Sequence, residues 1–269
     1  MNISKSRIPA TFERLKIERK KALITFITTG DPDLETSLKL MHQLVEAGAD
    51  IIELGVPFSD PMADGPVIQR ASERALQHHI SIDDVLVLVS QFRQQNNTTP
   101  LVLMGYLNPI EHKGYEQFAN AAASAGVDAV LTVDMALEES SDYREVMTQA
   151  GLDTVFLVAP TSGAERSQLI TNATSGFLYY VAVKGVTGGA SADFAEVAKK
   201  VVTLQTMSAV PVAVGFGISS PRDAADVAEF ADAVVVGSAI IKQLEEHPGE
   251  TGVQAAVELV KQMRQAMDG

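Results

Sequence analysis

Short apolar runs alternate with longer amphipathic stretches along the whole of this sequence. Eight runs rich in β-branched residues predict strands. They are Ala22–Thr28, Asp50–Leu54, Pro100–Gly105, Asp128–Val133, Thr154–Ala159, Phe177–Val183, Pro211–Gly215 and Asp232–Val236. Stretches of helical period separate and follow them, at Leu34–Ala47, Ser81–Gln95, Tyr115–Ala125, Glu138–Ala150, Glu165–Ala173, Ser191–Thr206, Pro221–Phe230 and Gly252–Met267. Such alternation predicts a parallel sheet covered by helices.

One junction sequence recurs before the predicted strands. Ala-Gly-x-Asp stands at Ala47–Asp50, Ala125–Asp128 and Ala150–Asp153, and Ala231–Asp232 keeps part of it. The glycine supplies the left-handed residue that ends a helix, and the aspartate begins the turn into the next strand. Three similar junctions at the spacing of βα units indicate a repeated architecture.

Eight strands alternating with helices favour an α/β fold, a closed (β/α)₈ TIM barrel in which residues 1–269 form a single domain. A doubly wound open sheet is the alternative. It is disfavoured because no G-x-G-x-x-G sequence opens a first helix.

Two additions to the barrel are predicted. Ser4–Glu18 has the pattern of an N-terminal capping helix, with Ile8, Phe12 and Leu15 closing one end of the barrel. Val67–Gln77 has the pattern of an extra helix after the second strand.

Composition narrows the class of protein. The formal net charge of −13 disfavours binding to nucleic acid, because phosphate backbones would be repelled. There is no cysteine, which excludes disulfides, thiol catalysis and cysteine-based metal sites. No stretch approaches the roughly 20 apolar residues of a membrane helix, and 1–10 lacks the apolar core of a signal peptide. We therefore expect a cytoplasmic protein without a membrane partner.

A carboxylate interrupts the second apolar run. Glu53 lies between Ile52 and Leu54, and a proline-rich loop carrying Asp64 follows it. A glutamate on the solvent face of an edge strand is the ordinary explanation. The flanking apolar residues instead favour a buried site residue, since burying a charge is costly.

Glycine-bearing loops follow the last three strands. They are Lys184–Gly189, Gly215–Ser220 and Gly237–Ala239, and a short helix is predicted to begin after Gly237. Such loops and a helix N-terminus bind phosphate in barrels of this class, although each glycine alone could be a turn residue. Lys184 is the one basic side chain in these loops.

Two carboxylates of unequal environment are suited to acid–base chemistry. We predict that Glu53 exchanges protons while Asp64 remains anionic and stabilises positive charge. Tyr179, on strand 6, could reach the barrel mouth and bond a carboxylate. The five histidines lack zinc-ligand spacing, so no metal site is predicted.

These residues carry a family resemblance. The sequence from Ile52 to Pro66, Ile-Glu-Leu-Gly-Val-Pro-Phe-Ser-Asp-Pro-Met-Ala-Asp-Gly-Pro, resembles the characteristic motif of the tryptophan synthase alpha chain family. Thr29–Pro32, Gly185–Gly188, Gly215–Ser220 and Gly237-Ser238 agree with it in order and spacing.

The resemblance implies a TIM barrel that cleaves indole-3-glycerol phosphate to indole and glyceraldehyde 3-phosphate. It implies Glu53 as the acid–base residue, Asp64 as the partner of the indole N–H, and Tyr179 as the tyrosine that steadies that aspartate. Thr187 corresponds to a loop residue that positions the aspartate. Further substrate-binding residues are expected at Gly188, Gly217, Gly237, Ser238, Phe26 and Tyr106.

The resemblance also implies a partner. This is a pyridoxal-phosphate beta chain that receives indole through a tunnel in an α₂β₂ heterotetramer, with no cofactor in this chain. Asp60, Pro61 and Asn108 are the expected contact residues, on the loops after strands 2 and 3.

Three other functions stay open from the sequence. A stand-alone lyase on the same barrel would release indole without a beta chain. A catalytically weak subunit would act mainly as an allosteric activator, although retention of Glu53 and Asp64 argues against it. A different phosphate-sugar barrel, such as an epimerase, would be expected to use other acid–base or metal residues.

Overall fold

The computed structural model describes residues 6–181, 194–215 and 217–269, and these form a parallel barrel. Its strands are β1 (Ala22–Thr28), β2 (Ile51–Gly55), β3 (Leu101–Gly105), β4 (Ala129–Thr132), β5 (Asp153–Val155), β6 (Leu157–Val158), β7 (Leu178–Val181), β8 (Val212–Gly215) and β9 (Ala233–Val236). Every strand pairing is parallel, in the order β5-β4-β3-β2-β1-β9-β8-β7-β6.

The two ends of this strand order are one interrupted strand. Phe156 alone separates β5, which pairs with β4, from β6, which pairs with β7. The Phe156 carbonyl accepts a hydrogen bond from the Tyr179 N–H at 3.1 Å, so contact with the next strand continues through the break. The single strand predicted at Thr154–Ala159 is therefore split into β5 and β6. Counted as one, they give eight strands, and the predicted (β/α)₈ barrel is confirmed.

Twelve α-helices are present in the described residues; α1 lies at one end of the barrel and helices after it cover the outside of the sheet. They are α1 (Ile8–Glu18), α2 (Leu34–Glu46), α3 (Pro66–Gln77), α4 (Ile82–Arg93), α5 (Leu107–Lys113), α6 (Tyr115–Ala125), α7 (Ser141–Gln149), α8 (Ala164–Ala173), α9 (Phe194–Met207), α10 (Pro221–Ala228), α11 (Ser238–Glu246) and α12 (Glu250–Asp268). None of the helices in these ranges is long and apolar enough to cross a membrane.

Helix α5 is absent from the sequence prediction, which placed Asn108 in the loop after strand 3. The structure shows that Pro109 is the third residue of this helix. Proline is tolerated in a first turn, because the N–H that it lacks would have no partner within the helix.

The core has two layers that follow the alternation of each strand. In β2, Ile52 and Leu54 face the helices, whereas Ile51 faces the barrel interior. Ile8 and Leu15 of α1 are buried in that interior layer, so α1 closes the N-terminal end as predicted.

In two of the three full copies of the junction motif, the aspartate bonds the first part of a neighbouring strand. Asp50 accepts from the Leu23 N–H at 3.0 Å, and Asp128 accepts from the Leu101 N–H at 2.8 Å. Asp232, in the partial copy, does the same for the Val212 N–H at 3.0 Å. The motif therefore satisfies backbone donors at the end of the barrel opposite the candidate site.

Candidate active site

Glu53 lies on β2 and points into the barrel. It is paired in register with Phe26 of β1 and Val102 of β3. The side chain is fully buried, and neither carboxyl oxygen has a hydrogen-bond partner among the described residues. Strand alternation explains this position, because Ile52 and Leu54 take the two outward places beside it.

Burial changes the protonation of this carboxyl group. Removing the charged form from water raises the pKa of Glu53 to about 8. The group is therefore mainly protonated at neutral pH and can donate a proton. A carboxyl that is poised near neutrality is suited to general acid–base catalysis.

Asp64 lies in the loop between β2 and α3 and is half-buried. Its Oδ2 accepts a hydrogen bond of 2.9 Å from the Tyr106 hydroxyl, which itself accepts one of 3.0 Å from the Ala63 N–H. Burial raises the pKa of Asp64, and the hydrogen bond from Tyr106 opposes that shift. The Phe58 ring stacks on Tyr106 with centroids 5.0 Å apart, which orients the tyrosine.

The two candidate tyrosines have different neighbours. Tyr106 is the tyrosine that bonds Asp64. Tyr179, to which sequence similarity assigned that contact, is buried beside Glu53; the pKa of its hydroxyl is raised by burial and by this carboxyl group. Within the described ranges no hydrogen bond joins Tyr179 to Asp64, so the expected contact is replaced by that of Tyr106.

A cavity of about 610 Å³ opens at the carboxyl ends of the strands. It brings together seven of the predicted residues. They are Phe26, Glu53, Asp64, Tyr179, Gly217, Gly237 and Ser238. Tyr106 lines a small adjoining cavity together with Asp64.

Two glycines at the cavity make room for aromatic rings. A Cβ atom on Gly215 would lie 2.2 Å from the Tyr179 hydroxyl oxygen, and one on Gly55 would lie 2.5 Å from Cζ of Phe26. Both distances are far below van der Waals contact. The glycines therefore allow Tyr179 and Phe26 to lie against the backbone of neighbouring strands.

The N-terminus of α11 meets the same cavity. Gly237 precedes the helix and Ser238 begins it. The carbonyl of Gly237 accepts the hydrogen bonds of Ile240 and Ile241, so the N–H groups of Ser238 and Ala239 precede the helical hydrogen-bond pattern. Free N–H groups and the positive end of the helix dipole favour an anion here. No Lys or Arg is among the described residues that line the cavity.

Some predicted residues lie outside the described ranges. They are Thr187, Gly188 and Lys184. In the part of the chain that is described, no group of three or more His, Asp or Glu side chains could hold a metal ion.

Asp31, in the loop after β1, forms an ion pair with another side chain of the same protein. Both of its carboxylate oxygens accept hydrogen bonds from Arg74 of α3, at 2.7 and 2.8 Å, and the side chain is buried. It anchors α3 to the loop after β1.

The apolar wall of the cavity was not predicted. Met104, Val181 and Val235 line it from three different strands. Their alternation with outward-facing neighbours is the signal that could have found them, because Glu53 and Tyr179 share that inward face.

Proteins of one known family match this chain over nearly its whole length. The family model for the tryptophan synthase alpha chain matches residues 12–268. A tryptophan synthase alpha chain from Thioalkalivibrio sulfidiphilus is 54% identical over 265 residues, which cover 98% of this chain and 100% of that protein. One from Methylococcus capsulatus is 50% identical, covering 98% and 99%. The chain belongs to the tryptophan synthase alpha chain family.

Solved structures agree with this assignment. The tryptophan synthase alpha subunit of Legionella pneumophila superposes with a TM-score of 0.91 at 47% identity, covering 98% of this chain and 99% of that one. A chain of Mycobacterium tuberculosis tryptophan synthase superposes with a TM-score of 0.89 at 35% identity, covering 98% and 99%. As a member of this family, the protein is a lyase of tryptophan biosynthesis that acts on indole-3-glycerol phosphate.

Proposed function

We propose that Glu53 and Asp64 together carry out the cleavage of indole-3-glycerol phosphate to indole and glyceraldehyde 3-phosphate. The observation that carries this proposal is the buried Glu53 carboxyl group, protonated at neutral pH, in the cavity that Asp64 also lines. Retro-aldol cleavage requires one group that both gives and takes a proton and one fixed negative charge, and the two carboxyls differ in the necessary way.

The reaction begins with protonation of the indole ring. Glu53 delivers its proton to C3, and the positive charge that develops on the ring nitrogen is stabilised by the Asp64 carboxylate. The resulting Glu53 carboxylate then removes the proton of the hydroxyl group on the adjacent side-chain carbon. The bond between C3 and that carbon breaks, its electrons return to the ring, and an aldehyde is left. This sequence restores the Glu53 proton and uses no metal or organic cofactor.

The phosphate group is held at the other end of the cavity. The N-terminus of α11 and the backbone at Gly217, Gly237 and Ser238 supply the donors. Gly188 is assigned to the same end, and Thr187 to the positioning of Asp64, both on the family motif alone. Binding through backbone donors explains how an anion is held without a basic side chain in the described lining.

The indole ring occupies the apolar part of the cavity. Phe26, Met104, Val181 and Val235 provide its walls. Tyr106 contributes indirectly by orienting Asp64. Burial of the ring there excludes water from the reacting carbon, which strengthens the interaction between Asp64 and the developing charge.

A tryptophan synthase beta chain is the proposed partner. We expect an α₂β₂ assembly in which the beta chain holds pyridoxal phosphate and receives indole through a tunnel. Asp60, Pro61 and Asn108 are the proposed contact residues. Asp60 and Asn108 are exposed, and Met62, two residues after Asp60, exposes 78% of its surface, which is unusual for a large apolar side chain.

The test is indole release from indole-3-glycerol phosphate by the purified chain, with and without a beta chain. Slow release that the beta chain accelerates supports the proposed complex, whereas fast release that it does not change indicates a stand-alone lyase. Glu53→Gln and Asp64→Asn should each abolish release, with Glu111→Gln as a control carboxylate outside the cavity. Full activity in Glu53→Gln would refute the catalytic assignment.

A further inference from the structure

An ionic network joins three elements that build the site, although none of its members lines the main cavity. Glu245 of α11 accepts from Arg70 at 2.6 and 2.8 Å and from Arg74 at 3.0 Å. Arg74 also holds both oxygens of Asp31, in the loop after β1. Arg70 and Arg74 are one turn apart on α3, so a single face of that helix is fastened to α11 and to the loop after β1.

The near ends of these two helices carry opposite halves of the proposed substrate site. Helix α3 begins at Pro66, two residues after Asp64. Gln69, in its first turns, donates to the Asp64 carbonyl at 2.9 Å, which ties the loop to the helix. Helix α11 begins at Ser238 in the same cavity, and Glu245 lies two turns further along.

We propose that Glu245 is a positioning residue that fixes the distance between Asp64 and the phosphate-binding N-terminus of α11. The inference rests on the proposed function, because it assigns the indole end of the substrate to Asp64 and the phosphate end to α11. Helices are stiff, so fixing them against each other through Glu245 also fixes the separation of their N-termini. That separation must match the three-carbon chain that joins the indole ring to the phosphate.

Packing beneath the network supports a mechanical role. Ala71 and Ala75 of α3 are fully buried, and α3 packs against α11 and β1. These small side chains let the helices approach closely but provide little interlocking against sliding. The charged contacts supply that constraint, since a bidentate pair between arginine and carboxylate has a defined geometry. The Arg70 hydrogen bonds lower the pKa of Glu245 to about 2, so the contacts persist across the neutral range.

The chain offers a matched control on the same helix. Glu246 pairs with Lys242 at 3.4 Å, and both residues belong to α11. Glu246→Gln therefore removes the same charge from the same turn without loosening α11 from α3. Glu245→Gln keeps the size of the side chain but loses the ion pairs with Arg70 and Arg74.

The experiment compares ligands that span the site with ligands that fill half of it. The spanning ligand is a 3-alkylindole phosphate with the three-carbon chain of the substrate. It lacks the hydroxyl groups, so it cannot be cleaved. Calorimetry would measure its binding. We expect Glu245→Gln to bind it about three- to tenfold more weakly than wild type, a modest loss because the network is partly exposed to solvent. Indole alone and glycerol 3-phosphate alone should bind as in wild type, because each half of the site is intact.

Three outcomes would decide the matter. Equal binding of the spanning ligand by Glu245→Gln and Glu246→Gln would overturn the proposal. Equal weakening of the spanning ligand and both half-ligands would also overturn it, because it would indicate general damage to the fold. Selective weakening of the spanning ligand would support it even if wild type failed to cleave indole-3-glycerol phosphate, a failure that would count against the proposed function alone.

Discussion

The Tyr106 hydroxyl donates a hydrogen bond of 2.9 Å to Oδ2 of Asp64 and accepts one from the Ala63 N–H. The tyrosine directly follows β3, and the aspartate lies in the loop after β2. A neighbouring strand therefore fixes the orientation of the carboxylate that is proposed to stabilise the charged ring. The contact also favours the ionised form of Asp64, against the effect of burial.

Replacing Tyr106 by phenylalanine should weaken catalysis. Loss of a hydrogen bond to a charged group costs about 1.5–3 kcal/mol, so kcat/KM should fall by roughly ten- to a hundredfold. The pKa of Asp64 should rise further, because the hydrogen bond that lowers it is gone. Steady-state kinetics of indole release would measure the first effect.

Tyr115→Phe is the matched control for that variant. The Tyr115 hydroxyl donates to Glu111 at 3.0 Å, on the surface and outside the cavity lining. The control loses the same type of bond, so its kcat/KM should stay within about twofold of wild type. Similar losses in the two variants would contradict the role given to Tyr106.

The pH dependence of the rate should show the titration of Glu53. The first proton transfer needs the protonated carboxyl group, and its pKa is raised to about 8 by burial. In single-turnover experiments on the wild type, cleavage should therefore fall as pH rises through about 8. A rate that stays level to pH 10 would show that a different group donates the proton.

Stability should depend on the same carboxyl group. The folded pKa of Glu53 is raised from 4.5 to about 8, so the folded state holds a proton that the unfolded state releases between these values. The stabilisation of the folded state by this proton is complete below pH 4.5 and is lost as pH rises through 8. Its size is at most about 5 kcal/mol, at 1.36 kcal/mol for each pKa unit.

Glu53→Gln tests that linkage, because an amide does not titrate. The free energy of unfolding of the variant, relative to that of wild type, should be larger at pH 8.5 than at pH 5, because only wild type loses stability over this range. Urea denaturation at the two pH values would measure this difference. Parallel pH dependence in the two proteins would show that Glu53 is not protonated in the folded state.

Much of this architecture can be predicted from the sequence, because local pattern and burial agree. The bounds of β1 and α6 coincide with the apolar run Ala22–Thr28 and the helical stretch Tyr115–Ala125. Glu53 can be singled out because outward-facing apolar residues flank it on an inward-facing position. Predicting these features requires only the periodicities of helices and strands.

The rest depends on tertiary placement. Tyr106, at the start of the loop after β3, contacts Asp64, and Tyr179 lies beside Glu53. Strand alternation alone does not predict which tyrosine contacts which carboxyl group. The network around Glu245 joins residues 175 and 171 positions apart, and no local pattern relates them. Asp50 and Asp128 of Ala-Gly-x-Asp lie just before a strand as predicted, but their hydrogen bonds to the preceding strand follow from closure of the barrel.

Substitution of Gly215, on β8, tests whether this glycine makes room for Tyr179 in the cavity or serves the phosphate end of the site. A Cβ atom there would lie 2.2 Å from the hydroxyl oxygen of Tyr179 and within 2.6 Å of two ring carbons. Gly215→Ala must therefore displace a buried ring that lies beside Glu53. We expect a loss of about 1–3 kcal/mol in the free energy of unfolding and a fall of about a hundredfold in kcat/KM.

Gly163→Ala is the control, since its added Cβ would meet no atom within 4 Å and its φ is −64°. Thermal unfolding and indole release should both stay close to wild type in this variant. The double variant Gly215→Ala with Tyr179→Phe separates the two explanations, because it removes the oxygen nearest to the new methyl group. Partial recovery of stability would assign the defect to the collision with Tyr179. No recovery, with glycerol 3-phosphate binding lost, would instead assign Gly215 to the phosphate end of the site.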